Sequence, residues 1–285
     1  MGFWKALFGG TEETPEQQEA GRKQRNFELL KYDGVKAAKM GQLDYAVKCY
    51  REALKLNDDL EVHDYLAQAL VRLSQFEEAL AELQILAGQA PDNQNVLMQM
   101  AHVAYLMEDY DRMAELCQQL QAMAPESAAA CYLGAQAALG HHQPAEAVSL
   151  LTRAIGLRDD YAEAYLLRGR TLLTMGQLEQ AAADAQWLSD SVGDQEDVMV
   201  LSGRVAVARG QVKEALAICD HVLEQVNPFC TEALRLRAHV RQELGDTEGA
   251  AEDMARLREQ DPELPQEDIE QQVRQAYSAA NPLGL

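Results

Sequence analysis

The sequence predicts an all-α fold built from tandem pairs of helices. Three sets of positions recur along the chain at intervals of 33 to 35 residues, and each set favours one kind of residue. A fixed period of about 20 to 50 residues is typical of repeat proteins, in which each unit is a small motif that stacks on its neighbours. Each set has seven members, which predicts seven repeats.

The first two sets hold small residues and predict close packing between the two helices of a unit. Six of the seven members of the first set are alanine: Ala46, Ala79, Met113, Ala147, Ala181, Ala215 and Ala250. The second set lies 12 residues earlier and contains only glycine or alanine: Gly34, Ala67, Ala101, Ala135, Gly169, Gly203 and Ala238. Two helices pack closely only where the side chains between them are small, so we expect Gly34 to face Ala46 at the first crossing.

The third set lies between the two helices of each unit and predicts a tight turn. It comprises Gly41, Ser74, Glu108, His142, Gly176, Gly210 and Gly245. Glycine is favoured where a helix ends in such a turn. Each unit therefore reads as a helix of about 14 residues, a turn, a second helix and a stop, as at Pro91, Pro125 and Pro262. Because one unit cannot bury its own apolar stripe, neighbouring units must stack and share a core.

These sets resemble the tetratricopeptide repeat, which has a 34-residue period and small residues at corresponding places in its two helices. The first unit matches best, with Gly34, Ala46, Tyr50 and Ala53 at the small, small, aromatic and small places of the pattern. The resemblance covers residues 27–264 and implies a right-handed superhelical solenoid of seven repeats. Met113 departs from the pattern, because it replaces an alanine in the third unit.

The two ends of the chain are assigned by composition. Residues 1–26 combine a short apolar segment with a polar linker, which we expect to be mobile. Residues 265–285 are predicted to form a capping helix and a tail, because a terminal repeat otherwise exposes its apolar stripe. Phe3, Trp4, Leu7 and Phe8 would share one helical face. They would form either a short anchor at a membrane surface or a hook that docks on the array or on a partner.

Composition also argues against several classes of function. The formal net charge of -21 would repel the backbone of a nucleic acid. No apolar run approaches the roughly 18 residues that a membrane span needs. The five cysteines are widely spaced, which favours a reducing, cytoplasmic location over a disulfide or zinc framework. His141 and His142 lack a third metal ligand nearby, and no phosphate-binding or nucleophile motif stands out, so we expect no enzyme, cofactor or metal site.

The resemblance implies a binding groove lined by the first helices of successive units, with a protein or peptide as the partner. The groove residues carried over from the family pattern are His102, Tyr105, Tyr132, Gln136, Leu166, Arg170, Leu173, Val200, Arg204 and His239. Arg170 and Arg204 lie one repeat apart on an otherwise apolar wall. Since arginine binds a carboxylate through two parallel hydrogen bonds, this pattern suits an acidic, amphipathic peptide or helix. We therefore predict an interaction scaffold or adaptor.

Two alternatives remain open for these residues and for the chain. The apolar groove residues would instead pack against neighbouring first helices, while the arginines pair with acids such as Glu163 or Asp197. The chain would otherwise self-associate as a homo-oligomeric structural or regulatory subunit of a larger assembly, peripheral to a membrane through residues 1–10.

Overall fold

The computed structural model describes residues 14–260, and in this range the chain forms α-helices and no strand. Fourteen α-helices follow one another in this range: α1 (Pro15–Lys39), α2 (Leu43–Leu54), α3 (Leu60–Arg72), α4 (Phe76–Gln89), α5 (Gln94–Leu106), α6 (Tyr110–Met123), α7 (Ala128–Gly140), α8 (Pro144–Leu157), α9 (Ala162–Thr174), α10 (Leu178–Val192), α11 (Glu196–Ala208), α12 (Val212–His221), α13 (Thr231–Glu243) and α14 (Thr247–Gln260). Each odd-numbered helix is the first of a pair. The predicted fold of tandem helix-turn-helix repeats is confirmed, whereas the predicted cap lies outside the described residues.

The helices belong to two compact units, whose boundary in the sequence lies between Arg112 and Met113. In the first unit, α2 packs against α1 of its own pair and against α3 of the next pair. In the second unit, α10 packs in the same way against α9 and α11. Both second helices therefore bury their apolar stripes on two sides, as the repeat pattern requires.

The small residues of the first two sets lie where the helices approach closely. All seven members of the first set are at most 1% exposed. A Cβ atom added at Gly34 would lie 2.5 Å from Cε1 of Tyr50 on α2, and one at Gly169 would lie 3.2 Å from Cβ of Asp184 and 3.8 Å from the Ala181 carbonyl oxygen on α10. The predicted close packing is confirmed, and the atoms nearest to Gly34 belong to Tyr50, one helical turn after Ala46.

The third set forms the same turn in all seven repeats. Each of its members has a positive φ angle, between 55° and 80°. In the fifth repeat, the Gln177 N–H donates to the Leu172 carbonyl at 2.9 Å, and the Gly176 N–H donates to the Leu173 carbonyl at 3.0 Å. This pair of hydrogen bonds is a Schellman motif, in which glycine is the favoured left-handed residue. Three repeats place another residue there, namely Ser74, Glu108 and His142.

The end of the sixth repeat contains one turn of π-helix, Val222–Val226, directly after α12. Its marker is the bond that the Asn227 N–H donates to the Val222 carbonyl, five residues earlier, at 2.8 Å. A π-helical turn accommodates one extra residue within a helix. The interval between Ala215 and Ala250 is 35 residues, so the extra residue in the sequence coincides with the π-helical turn.

The first helix differs from the prediction, because α1 begins at Pro15 and includes most of the expected linker. Thr14 caps it: the Thr14 hydroxyl accepts from the Gln17 N–H, and the Gln17 side chain accepts from the Thr14 N–H. This reciprocal capping box stabilises a helix start, and proline is favoured at the first helical position. The polar composition that indicated a linker instead belongs to an exposed helix that extends the first repeat.

Candidate partner-binding face

The ten predicted groove residues lie on first helices, and the structure divides them between its two units. His102 and Tyr105 lie on α5 in the first unit. The other eight lie on α7, α9, α11 and α13 in the second unit: Tyr132, Gln136, Leu166, Arg170, Leu173, Val200, Arg204 and His239. The two groups are separate candidate surfaces.

In the first unit, an open cavity of about 510 Å³ lies between α3 and α5. Val71, Met98 and Val103 form much of its apolar lining, and exposed His102 lies at its edge beside Gln68. None of the lining residues is Asp, Glu, Lys or Arg. The cavity therefore suits an uncharged side chain of a partner. Tyr105 does not line it.

In the second unit, the first arginine of the predicted pair is held by an acid of the next repeat. Nη2 of Arg170 on α9 lies 2.6 Å from Oδ1 of Asp197 on α11. The Arg170 side chain is 20% exposed and that of Asp197 is 65% exposed. For Arg170, the alternative that the arginine pairs with Asp197 is therefore correct. An exposed pair of this kind contributes at most about 1 kcal/mol, so an incoming carboxylate can compete for the guanidinium.

The second arginine is more deeply placed and less well paired. The Arg204 Nε group is buried and has no hydrogen-bond partner among the described residues, and the same is true of the Arg235 Nε group on α13. Burial lowers the pKa of Arg204, the charge of Arg170 lowers it further, and the charge of Glu232 opposes both. Two guanidinium groups of the second unit thus retain buried N–H donors that no described group satisfies. Such donors are costly to leave unpaired.

Two of the predicted groove residues lie in the core, and the prediction that they contact a partner is wrong. Leu173 is 5% exposed and belongs to a cluster with Leu201 of α11. Val200 is 3% exposed and packs with Leu234 of α13. The reason is that the first helix of the following repeat covers both positions. For these residues the alternative of packing between first helices is the correct one.

The remaining predicted residues of the second unit are half-buried. Leu166 packs at the edge of the core cluster that contains Leu173. The Tyr132 ring lies 5.2 Å from the ring of Tyr161, measured between centroids. Gln136 is partly accessible. Nε2 of His239 lies 3.4 Å from Oε1 of Glu243 in the same helix. These side chains therefore leave partly accessible surface on the first helices α7, α9 and α13.

Two largely buried ion pairs with the same geometry were not predicted from the sequence. Arg168 and Asp184 make a two-bond pair, with N–O distances of 2.9 and 2.7 Å. Arg237 and Asp253 repeat it two repeats later, at 3.0 and 2.5 Å. Both pairs join the first helix to the second helix of one repeat, and in both the partners are 16 residues apart. That shared interval was the signal available in the sequence.

The histidines and cysteines do not form a site in the described part of the chain. Among residues 14–260, no group of three or more His, Cys, Asp and Glu side chains is placed to hold a metal ion. All five cysteines are buried and unpaired. Burial raises the pKa of Cys117, Cys219 and Cys230 to about 12, so these thiols are poor nucleophiles. The predicted core role of Cys49, Cys117 and Cys219 is confirmed. Every helix in this range is too short or too polar to cross a lipid bilayer.

Comparison with known structures identifies proteins with a similar fold. A tetratricopeptide repeat protein from Parabacteroides merdae aligns with a TM-score of 0.72 at 14% identity, over 88% of this chain and 99% of that one. PilW, described as a widely conserved type IV pilus biogenesis factor, aligns with a TM-score of 0.66 at 19% identity, over 74% and 98%. MamA from Desulfovibrio magneticus RS-1 aligns with a TM-score of 0.54 at 17% identity, over 60% and 97%. At these identities, the likeness establishes the fold alone.

The sequence itself matches two family models, both described as the tetratricopeptide repeat. One covers residues 138–183, and the other covers residues 34–94 and 200–265, which together exceed half of the chain. No curated protein sequence matches the chain. Stacked repeats of this kind serve as surfaces for protein–protein interaction, and this general role is supported here. The fold, the repeat spacing and the two matches show that the chain belongs to the tetratricopeptide repeat family.

Proposed function

We propose that this protein is a scaffold that binds an acidic, amphipathic segment of a partner protein on the first helices of its fourth to seventh repeats. The proposal depends on one observation: the buried Nε groups of Arg204 and Arg235 have no hydrogen-bond partner among residues 14–260. The binding face is defined as Arg170, Arg204, Arg235, Leu166 and Tyr132. Leu173 and Val200 do not belong to it, because they are core residues.

The chemistry of the face favours a carboxylate ligand. An arginine binds a carboxylate through two parallel N–H donors, and such charge-assisted bonds are stronger than neutral ones. Rotation of the Arg204 and Arg235 side chains toward a ligand carboxylate would give the buried donors a partner. The carboxylate would also offset the charge of Arg170, which lowers the pKa of Arg204. A phosphate group or a nucleic acid also contacts arginine, but the net charge of -21 opposes a long polyanion. A short acidic stretch avoids most of that repulsion.

The ligand is also expected to have an apolar side. Leu166 lies one helical turn before Arg170 on α9, and both Leu166 and Tyr132 are half-buried and leave part of their surface accessible. A peptide with acidic residues on one side and apolar residues on the other would contact both kinds of group, as amphipathic helices do in apolar grooves.

The experiment compares charge removal on the face with charge removal elsewhere. The double variant Arg170→Met, Arg204→Met keeps the apolar stems of both side chains and removes both guanidinium groups. The matched control is Arg209→Met, because Arg209 is paired with Glu179 at 2.7 Å near the end of the same helix, α11. Each protein serves as bait in affinity capture with mass spectrometry, and captured segments are then synthesised for titration calorimetry.

The proposal predicts that the double variant loses affinity for acidic segments by at least about tenfold, which corresponds to about 1.4 kcal/mol. The control should bind as the wild type does, and binding to the wild type should weaken as salt is added. Equal binding by all three proteins would refute the role of this face while leaving a general scaffold role in place. The proposal also includes a reducing, cytoplasmic location, which the five unpaired cysteines favour.

A further inference from the structure

The first repeat exposes two apolar positions, of which one is buried in every later repeat and the other in the last three. Leu29 and Tyr32 of α1 are 59% and 66% exposed. Counted from the small residue of each first helix, the positions equivalent to Leu29 are at most 6% exposed in all six later repeats: Val62, Val96, Ala130, Ala164, Val198 and Ala233. The equivalents of Tyr32 in the last three repeats, Leu167, Leu201 and Leu236, are at most 7% exposed. Leu29 and Tyr32 are named here the end face.

In the later repeats, the second helix of the preceding repeat covers these positions. Val198 lies in a core cluster with Leu188 of α10, and Ala164 lies in another with Leu151 of α8. Within residues 14–260, no helix precedes α1. The end face is therefore half of a repeat interface, and the described structure contains no second half.

We propose that residues 3–8 of the same chain pack on the end face, where a preceding second helix packs in later repeats. Phe3 and Leu7 are four residues apart, as are Trp4 and Phe8. Side chains at this interval share one side of a helical turn, so four apolar side chains would face α1 together. The order along the chain is also that of a repeat, namely an apolar helix, a short connection and then a first helix. This proposal is independent of the proposed function.

The distances allow this packing. Leu29 follows Thr14 by 15 residues, which in an α-helix corresponds to roughly 22 Å along α1. Residues 9–13 in an extended conformation span roughly 16 Å, which brings Phe8 back along α1 to within about one helical turn of Leu29. The connection contains Glu12 and Glu13, and it would pass the exposed basic residues Arg22 and Arg25 of α1.

The size of the end face favours a short segment over a whole repeat or a second copy of the chain. Lys36 is exposed on α1, at a position where the later repeats bury Ala69, Val103, Ala137, Thr171, Val205 and Val240. Only the half of this surface around Leu29 and Tyr32 is apolar. A segment of six residues covers that half and leaves the Lys36 ammonium in water.

Tryptophan fluorescence can test this packing in the full chain. The sequence has two tryptophans, Trp4 and Trp187, so the variant Trp187→Phe reports on Trp4 alone. In this background we compare Leu29→Asp, Tyr32→Asp with the matched control Phe229→Asp, since Phe229 is 71% exposed on a connection in the second unit. All three substituted side chains are exposed, so the variants should fold, which circular dichroism checks. Light scattering gives the mass at each concentration.

We expect Trp4 to emit at a shorter wavelength in the Trp187→Phe background and in the Phe229→Asp control than in the Leu29→Asp, Tyr32→Asp variant. Acrylamide should also quench Trp4 less in the first two proteins. All three proteins should remain monomers. Equal emission and quenching in all proteins would overturn the proposal. Protection that appears only at concentrations where the mass doubles would assign the end face to a second copy. Protection that requires phosphatidylglycerol vesicles would assign residues 3–8 to a membrane surface. Either of these last two results also overturns the proposal.

Discussion

Replacing His142 by glycine should stabilise the protein, because His142 occupies a turn whose backbone suits glycine better. Its φ angle is 57°, and the equivalent Gly176 of the fifth repeat has a φ of 72°. The two turns have the same hydrogen bonds: the Gln143 N–H donates to the Ala138 carbonyl at 2.8 Å, as the Gln177 N–H does to Leu172. The substitution therefore changes the conformational cost of one residue and leaves the turn intact.

The magnitude follows from two opposing contributions. A residue with a Cβ atom pays roughly 1–2 kcal/mol to adopt the left-handed conformation. Glycine avoids this cost but loses roughly 0.5–1 kcal/mol more in backbone entropy when the chain folds. The expected net gain for His142→Gly is therefore about 0.5–1 kcal/mol, which raises the melting temperature of a domain of this size by about 1–4 °C.

The assay is thermal and urea unfolding of three variants, followed by circular dichroism. His142→Ala keeps the Cβ atom and should give no gain. The reciprocal change, Gly176→His, should destabilise the protein by a similar amount. A Cβ atom at Gly176 would meet nothing within 4 Å, so its cost is conformational rather than steric. The explanation would be refuted if the Gly176→His protein were as stable as the wild type, or if His142→Gly and His142→Ala changed the free energy of unfolding equally.

Three further predictions concern stability and use the same unfolding assay. Asp184→Ala leaves half-buried Arg168 without its carboxylate partner and should cost roughly 1–3 kcal/mol. The double change Arg168→Ser, Asp184→Ile copies Ser202 and Ile218 of the sixth repeat and should cost less. Equal losses would contradict this explanation. Gln177 precedes α10 at the N-cap position and makes no side-chain cap, whereas Asp109 at the equivalent position of the third repeat accepts from the Arg112 N–H. Gln177→Asp should therefore raise the free energy of unfolding by about 1 kcal/mol. Gln177→Ala should leave the free energy of unfolding unchanged. Burial lowers the pKa of His63, but the hydrogen bonds to Asp58 and Glu82 outweigh burial and raise the pKa above 6.5. Protonated His63 therefore stabilises the folded protein fully below about pH 6.5, and this stabilisation is lost as the pH rises through the folded-state pKa. His63→Gln should remove that part of the pH dependence, and an unchanged profile would exclude His63 as its source.

The repeat fold was predictable because its constraints are local and recur. Gly34 and Gly169 occupy crossings where a Cβ atom would clash, and seven turns require a residue in the left-handed conformation. Each constraint excludes most residue types at one position, and the same constraint recurs at the equivalent position of every repeat. The start of α1 was missed because composition outweighed the signal of Thr14 and Gln17, whose side chains form the capping box.

The candidate site was only partly predictable. The family pattern identifies the outward positions of first helices, but it does not say how far the next repeat covers each one. Leu173 and Val200 are covered, while Arg170 and Arg204 stay near the surface. Arg235 occupies an outward position of its first helix in the family pattern, but the sequence did not single it out, because the burial of its Nε group cannot be read from the sequence. The Arg168–Asp184 pair was missed although its spacing recurs.

The π-helical turn after α12 has a consequence for how such arrays change in evolution. A residue inserted there lengthens one helix end and is absorbed locally by the Asn227 to Val222 hydrogen bond. The seventh repeat keeps its Arg237–Asp253 pair and its turn at Gly245. Insertions at the ends of second helices are therefore tolerated, since the downstream register is preserved, whereas an insertion between Gly169 and Ala181 would misalign a whole helix pair.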